Sequence, residues 1–372
     1  MNKVYDKSES ILNISKKNDN KVNAYQLIKQ ILKTNNDSEI NSKFLNFIDQ
    51  KKEYYTYLDK PHIHEEIVRC DSDKLFEYLL FRYKYEIFPR KRILEELPPL
   101  VQIEPSSICN YRCVFCYQTD PRLSNKKNGH MGLMSLDLYK KIIDQIEGRI
   151  EGVTLASRGD PSVNKALGDM LLYSANKFTA FKLNTNAFLM NEKLCHDILS
   201  SNIQTLVYSA DAANPDLYKK LRVNGNLDRV IENVKNFNDI KSKHYPKSKI
   251  ITRVSGVKYT QEQNFEEQEI FWRDLVDQVV FVDYNPWENV YNSKLTGVND
   301  SCSDLWRRIF IWWDGKVAPC DVDYLTTLFR FSNITLNNIS EIWNSEEYNS
   351  LREQHLNNKR NCISPCNRCS VV

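Results

Sequence analysis

The feature that most limits what this chain can fold into is a loop carrying Cys109, Cys113 and Cys116 in a C-x3-C-x2-C spacing. The apolar run from Leu100 to Ile103 leads into it and reads as a strand, so the three thiols sit on the loop that leaves a strand. A structural zinc site needs a fourth thiolate or imidazole close by, and the next cysteine along the chain is Cys195. Three thiolates on one loop suit a four-iron cubane instead, with three corners held by protein and one iron open to chemistry. The plainer alternatives are ordinary buried cysteines or part of a zinc site.

Beyond Leu100, apolar runs at 100–104, 152–156, 179–184, 204–209, 249–255 and 279–283 alternate with helical periodicity at 135–148, 165–176, 191–201, 226–241 and 262–275. Six strands separated by helices predict a parallel sheet with right-handed crossovers that curves toward a barrel. Its active site lies where the loops leave the C-terminal strand ends. The expected fold class is therefore α/β: a partial (β/α)6 TIM-like barrel over 98–295, an N-terminal helical extension over 1–97, and a small cysteine-rich α+β domain over 296–372. Residues 1–20 are rich in Asn, Lys, Ser and Asp and are expected to fray. Ala24, Leu27, Ile28, Ile31 and Leu32 mark one apolar helix face. His62 and His64 stand two apart and so on different helix faces, which reads as a turn entering a helix rather than a metal site.

Composition narrows the partners. Lys and Arg number 51 against 48 Asp and Glu, a net charge of +3, which leaves no nucleic-acid footprint. Met1 to Lys21 is polar and no apolar run is long enough to span a bilayer, so neither a signal peptide nor a membrane association is expected. Ten cysteines, eight of them in two regions, point to metal or redox use in a reducing compartment, read here as cytoplasmic.

The cysteine spacing, with Phe115 directly before Cys116, resembles the signature of the radical S-adenosylmethionine (SAM) enzymes. The resemblance implies a 4Fe-4S cluster whose open iron chelates the amino and carboxylate groups of SAM. It also implies one-electron cleavage to a 5'-deoxyadenosyl radical that abstracts hydrogen from a substrate, and a reductant partner such as flavodoxin or ferredoxin. Ala156-Ser157-Arg158-Gly159-Asp160-Pro161 is similar to the family's Gly-Gly-Glu-Pro, which gives Asp160 the SAM amino group. Ser157 and Arg158 depart from the usual small residues there, and a surface turn is the alternative. Leu183-Asn184-Thr185-Asn186-Ala187 is similar to the family's Thr-Asn-Gly, with Asn186 reaching SAM or fixing its own loop. Tyr208-Ser209-Ala210-Asp211 is similar to Ser-Leu-Asp, making Ser209 a contact to carboxylate or ribose. Tyr218-Lys219-Lys220-Leu221-Arg222 resembles Tyr-x-x-Ile-Arg, making Arg222 a clamp on the SAM carboxylate or, failing that, a solvent-facing helical residue. Phe115 is expected against the adenine, or else simply in the core.

A second cysteine group comprises Cys302, Cys320, Cys362, Cys366 and Cys369. Asp314-Gly315 between apolar residues signals a hairpin that returns Cys320 toward Cys302. An amphipathic stretch over 336–356 then carries the last three cysteines back. The order resembles the SPASM or shorter Twitch extension, which implies a second 4Fe-4S cluster on Cys302, Cys320, Cys366 and Cys369, with Cys362 as the alternative ligand. A four-thiolate zinc site satisfies the same residues. Asp321 and Asp323 are candidate substrate or proton-transfer groups, or polar turn residues; Cys70 and Cys195 read as core. The implied function is a radical SAM oxidoreductase acting on a carbohydrate or other small polyol by oxidation or epimerisation, with the auxiliary cluster assisting electron transfer. A peptide-modifying enzyme and a non-catalytic iron-sulfur or zinc protein are the alternatives.

Overall fold

The computed structural model describes residues 11–16, 26, 28, 30, 58 and 60–372 apart from 330 and 331. In chain order the strands are β1 (Ile11–Lys16), β2 (Leu100–Ile103), β3 (Arg112–Cys113), β4 (Gly152–Leu155), β5 (Ala180–Thr185), β6 (Thr205–Ser209), β7 (Arg222–Val223), β8 (Ile251–Lys258), β9 (Gln278–Asp283), β10 (Arg308–Ile311) and β11 (Val317–Ala318). One nine-stranded sheet runs β1-β9-β8-β6-β5-β4-β2-β10-β11. From β9 to β10 every neighbouring pair is parallel. All six expected strands are therefore present and contiguous, and the chain forms a partial TIM-like α/β barrel.

Period-two alternation explains why the sheet has two different faces. Val101, Ile103, Val153, Leu155, Phe181, Leu183, Leu206 and Tyr208 face outward into the main core, where they meet Ile142, Ile146, Met170, Leu171, Ile198 and Phe237 of the surrounding helices. The alternate positions Leu100, Thr154, Ala180, Lys182, Thr205 and Arg253 line a cavity inside the sheet's curve. A parallel sheet covered on its outside by helices and left polar within makes a container.

Three features depart from the sequence reading. Residues expected to fray include β1, which pairs antiparallel with β9 and caps that edge. The C-terminal region does not build a sheet of its own, because β10 docks parallel on β2, with Ile311 opposite Ile103, and continues the barrel sheet. The stretch over 336–356 is two helices, Ile339–Trp343 and Glu346–Leu356, since the Ser345 hydroxyl caps the second. The hairpin between β10 and β11 does form, with Gly315 at φ +82°. The helix face proposed at Ala24, Leu27, Ile31 and Leu32 lies outside the described residues; Ile28 is buried.

The N-terminal helices Pro61–Arg69 and Leu75–Lys91 close the N-terminal end of the barrel. Arg69 pairs with Asp277 at 2.7 Å, Arg253 with Glu66 at 3.2 Å, and Gln278 donates to Glu65 at 2.8 Å. His62 and His64 lie in the first turns of the helix Pro61–Arg69 itself rather than in a turn before it, and His62 is buried facing this end.

At the opposite end a buried ion pair joins β2, the loop after β4 and the C-terminal region. Arg158 grips Glu104 through Nε at 2.7 Å and Nη2 at 2.6 Å, with both side chains almost fully buried. Its Nη1 donates to the Tyr324 carbonyl at 2.9 Å, its guanidinium lies 4.1 Å from the Trp312 ring, and the Trp313 amide donates to Glu104 at 3.2 Å. Breaking such a pair strands a buried charge. Arg158→Met is expected to lower unfolding free energy by about 3–5 kcal/mol, and Glu104→Leu with Arg158→Met to recover most of that loss. Urea denaturation of the four-member cycle measures both.

Candidate functional site

The three-cysteine loop lies across the C-terminal end of the sheet and is held from two sides. A Cβ on Gly159 would fall 2.5 Å from the carbonyl oxygens of Ser106 and Ile108, so only glycine lets the loop after β4 cross here. The next amide, of Asp160, donates to the Ile108 carbonyl at 3.0 Å. On the other side β3 pairs with β7, which sets Cys113 opposite Arg222. The Val114 amide also donates to the Leu221 carbonyl at 3.0 Å.

This arrangement brings Cys109, Cys113 and Cys116 together in a sheltered place. Burial pushes all three thiols up, Cys116 to about 12, and each is raised further by the charge of a carboxylate or a neighbouring thiolate. Donors nevertheless converge on the sulfurs. The Tyr111 amide reaches Cys109 Sγ at 3.4 Å, the Gln118 amide Cys116 Sγ at 3.5 Å, Arg222 Nη1 Cys113 Sγ at 3.7 Å, and Asn186 Nδ2 Cys109 Sγ at 3.9 Å. Buried thiols that repel one another's charge, ringed by N–H donors, are suited to thiolates neutralised by a cationic metal centre. Among the described residues no three His, Cys, Asp or Glu side chains close around one point as they would around a single ion.

The other expected residues fall around this loop. Asp160 is buried and accepts from the Ser162 amide at 2.9 Å, the Thr185 hydroxyl at 3.0 Å and the Asn186 amide at 2.6 Å. Asn186 donates to Asn110 at 2.9 Å and accepts from the Phe188 amide at 3.0 Å, so it fixes its own loop as well as facing Cys109. Arg222 is not solvent-facing. It forms a buried ion pair with Asp211 at 2.5 Å, and that carboxylate together with Cys113 outweighs burial to keep its pKa high. Phe115 is buried, with the Arg222 guanidinium 5.8 Å from its ring and Tyr259 at 5.5 Å. Ser209 is half-buried at the end of β6, in register with Ser255.

The second group also gathers. Cys302, Cys320 and Cys366 lie close enough for charge on one to raise another, and Cys369 acts on Cys366 in the same way. Arg360, itself buried, ties their loop down by donating to the carbonyls of Cys366 at 3.1 Å, Cys369 at 2.7 Å and Asp300 at 2.8 Å. Cys362 stays exposed, with its thiol on Asn361 at 3.3 Å. Cys195 is buried in the main core, and Cys70 packs at the edge of the N-terminal helix cluster. Tyr117, Tyr324 and Tyr291 pack between the two groups, in a cluster flanked by Cys116 on one side and by Cys320 and Cys369 on the other.

Asp323 holds its own loop. It is fully buried and accepts from Tyr291 Oη at 2.6 Å, the Thr327 hydroxyl at 2.7 Å and the amides of Thr327 and Leu328 at 2.9 and 3.0 Å. Asp321, half-buried, lies near enough to act electrostatically on Tyr117, Arg308 and Cys320.

A cavity of about 590 Å³ opens beside Phe115, between the ends of β8 and β9 and the C-terminal loop. Lys258, Tyr259, Asp283, Tyr284 and Arg368 are among its walls. Tyr259 packs edge-on to Tyr284 at 4.9 Å, and Trp287 Nε1 donates to the Phe115 carbonyl at 3.0 Å. Sequence reasoning missed these aromatics, although their place directly after two strand ends was a usable signal.

Residues 103–267 match the radical SAM superfamily, and residues 302–370 match an iron-sulfur cluster-binding domain, SPASM. The chain belongs to the radical SAM superfamily and carries a SPASM domain. Radical SAM enzymes hold a 4Fe-4S cluster and SAM, and SPASM domains hold further iron-sulfur clusters. Among curated relatives, a GTP 3',8-cyclase of Peptoclostridium acidaminophilum is 23% identical over 138 residues, 36% of this chain and 41% of that protein. A probable GTP 3',8-cyclase of Methanococcus maripaludis is 27% identical over 124 residues, 33% of this chain and 39% of that protein. The matched region thus spans about two fifths of those relatives.

Solved structures extend the fold likeness. BtrN in complex with AdoMet and 2-DOIA superposes with TM-score 0.51 at 17% identity, covering 75% of this chain and 95% of that one. Streptococcus suis SuiB bound to S-adenosylmethionine gives 0.55 at 16% identity, covering 88% and 83%. No helix among the described residues is long and apolar enough to cross a membrane.

Replacing Asp323 by Ala leaves the Tyr291 hydroxyl and several loop donors without their acceptor. The expected loss is about 2–3 kcal/mol of stability, read as a lower denaturation midpoint, and an unchanged midpoint would contradict the loop-holding role.

Proposed function

We propose that this radical SAM enzyme abstracts hydrogen from a small, hydroxyl-rich substrate, a carbohydrate or other polyol, and completes its oxidation or epimerisation. Three observations support this reading. Cys109, Cys113 and Cys116 form a donor set with N–H groups aimed at their sulfurs. A second set, Cys302, Cys320, Cys366 and Cys369, lies across a shared aromatic cluster. The cavity beside Phe115, at the thiol end of the barrel, carries the charged and hydroxyl groups of Lys258, Tyr259, Asp283, Tyr284 and Arg368, which a hydroxyl-rich substrate can use. The first of these carries the reading.

When bound, a 4Fe-4S cluster and SAM supply one-electron reductive cleavage and a hydrogen-abstracting radical. This chain's residues do the rest. The first three thiolates hold a cluster on a loop whose position is fixed by Gly159 and by the β3–β7 pairing. Arg222, locked by Asp211, keeps a fixed positive charge against Cys113 and the ring of Phe115. Asp160 is set to receive the amino group of SAM, Asn186 to reach SAM from its own loop, Ser209 to meet the carboxylate or ribose, and Arg222 to clamp the carboxylate. Asp160 already holds the loop after β5 in place for that task. The Tyr117–Tyr324–Tyr291 cluster keeps water from between the two thiol sets and fixes their separation. Cys302, Cys320, Cys366 and Cys369 would hold an auxiliary cluster, which would supply one-electron chemistry near the substrate, and Cys362 takes no part. A small reductant protein such as flavodoxin or ferredoxin supplies the first electron, in the cytoplasm.

A peptide substrate is the second reading. It is favoured by the breadth of the likeness to SuiB, solved also bound to the precursor peptide SuiA at TM-score 0.54. The open 590 Å³ cavity beside Phe115 would admit such a chain.

Anaerobic reconstitution tests both thiol sets. About eight irons per chain are expected, falling by about half when Cys109, Cys113 and Cys116 are all changed to Ala, and likewise for Cys302 and Cys320 together. Cys362→Ala keeps the full count. Dithionite with SAM then yields 5'-deoxyadenosine from the unaltered chain; bound zinc at the second set, or intact SAM, overturns the reading. Deuterium transfer from labelled sugars against labelled peptides separates the two substrate classes.

A further inference from the structure

The N-terminal end of the barrel holds a second cavity, of about 170 Å³, away from the thiol loop at the other end of the strands. Its walls come from the first residues of the strands, Leu100, Ala180 and Thr205, together with Thr154, Lys182 and Arg253 higher up. The N-terminal helices and Arg307 cover it.

Its charges do not balance. Among the described residues the cations Arg82, Lys182, Arg253 and Arg307 line it against two carboxylates, Glu66 and Glu86; Lys60, also on its wall, has a partner of its own. Both carboxylates are already engaged. Glu86 pairs with Arg82 at 2.7 Å, while Glu66 accepts from Arg253 at 3.2 Å and from Tyr78. Just beyond, Arg308 pairs with Asp304 at 3.0 Å. Arg307 is buried, and its polar contacts are the Tyr85 carbonyl at 3.3 Å and the Tyr85 ring at 4.9 Å. Lys182 projects from β5 into the cavity, and among the described residues no hydrogen bond or ion pair of its ammonium is found.

Neighbouring groups register the surplus. Burial, with Arg253 and Arg308 adding to it, outweighs the nearby Tyr85 and Glu66 and brings the Lys182 ammonium down to about 8. His62 is held well below its ordinary range by burial and then by Arg253 and Arg82. Burial alone would push the Tyr85 phenol up, yet Arg308, Arg307 and Lys182 together pull it down. A buried cation without a counter-charge is strongly unfavourable, and an enclosed polar space beside it is where an anion restores balance. The volume equals that of about five or six waters, enough for one small oxyanion and little else.

We propose that this lower cavity is a binding site for a small oxyanion, a phosphate or carboxylate group, gripped by Lys182 with Arg307 and Arg253. Glu66 and the N-terminal helices form its floor, so an occupied site fastens the N-terminal extension to the barrel. The inference rests on the fold and these side chains, and it stands whether or not the substrate reading above is right.

The test uses the full reconstituted chain at constant ionic strength, with sodium chloride exchanged for inorganic phosphate in one arm and for malonate in another. A saturable rise in the thermal midpoint is expected in at least one arm; the arm that responds identifies the anion class. Lys182→Met should melt no lower than the unaltered chain in chloride, because it removes an uncompensated charge. It should also weaken the half-saturating anion concentration by tenfold or more. Arg307→Met serves as the second variant. Crystals soaked in selenate locate the site directly, by an anomalous peak beside Lys182. A midpoint that does not saturate in either arm, an equal response in both variants, or a cavity holding only water overturns the proposal.

Discussion

The grip of Arg158 on Glu104 is the interaction on which the architecture of this enzyme turns. Glu104 is the first residue beyond β2, and Arg158 lies just beyond β4, so the pair ties two neighbouring strand ends at the point where the cysteine loop departs. Neither charge reaches water, and the cost of burying them is offset by near-complete satisfaction. Arg158 makes hydrogen bonds to both carboxylate oxygens and to the Tyr324 carbonyl, and it stacks on Trp312. Tyr324 and Trp312 belong to the SPASM region, so the same pair that sets the first thiol loop also sets the second.

Satisfaction of buried groups also explains why the site's acidic residues play unequal parts. Asp160 and Asp211 each hold a chain crossing near the first thiols, one through the loop after β5 and the other through Arg222 and the Val257 amide. Asp323 holds a crossing near the second set. A carboxylate that accepts several donors is fixed in place and pre-organises the loop that donates to it. The family motif at Arg222 led to the expectation of a clamp on SAM. The structure gives the same guanidinium an ion pair that sets its orientation beside Cys113.

The barrel is asymmetric along its axis. Its C-terminal end is bounded by thiols, aromatics and the 590 Å³ cavity, whereas its N-terminal end is covered by helices through an ion pair to β8, another to Asp277 just before β9, and a hydrogen bond from Gln278. The extension is thus a floor to the container, and the cationic space it encloses is a consequence of placing Lys182 and Arg253 on the inner face of strands whose outer face is the apolar core.

Much of this was legible in the residues alone. Six apolar runs with helical periodicity between them determined the parallel sheet, because local period and crossover handedness leave few other arrangements. The spacing of Cys109, Cys113 and Cys116 pointed to a metal-binding loop, because three thiols on one tight loop have few uses, and its resemblance to the radical SAM signature named the chemistry. Only tertiary structure decided the rest. Arg158 reads as a misfit in a glycine-rich motif until its partner, 54 residues earlier, is seen beside it. Sequence leaves Cys362 open as an alternative to Cys366, and chain path alone leaves the first exposed and the second within the group. The run before Cys320 promised a hairpin, but its docking on β2 depends on a strand about two hundred residues away. Lys182 looks like the polar half of an ordinary alternating strand, and becomes notable only because the sheet curves and turns that half inward. Pairings between distant residues are set by packing of the whole chain, which no local pattern encodes.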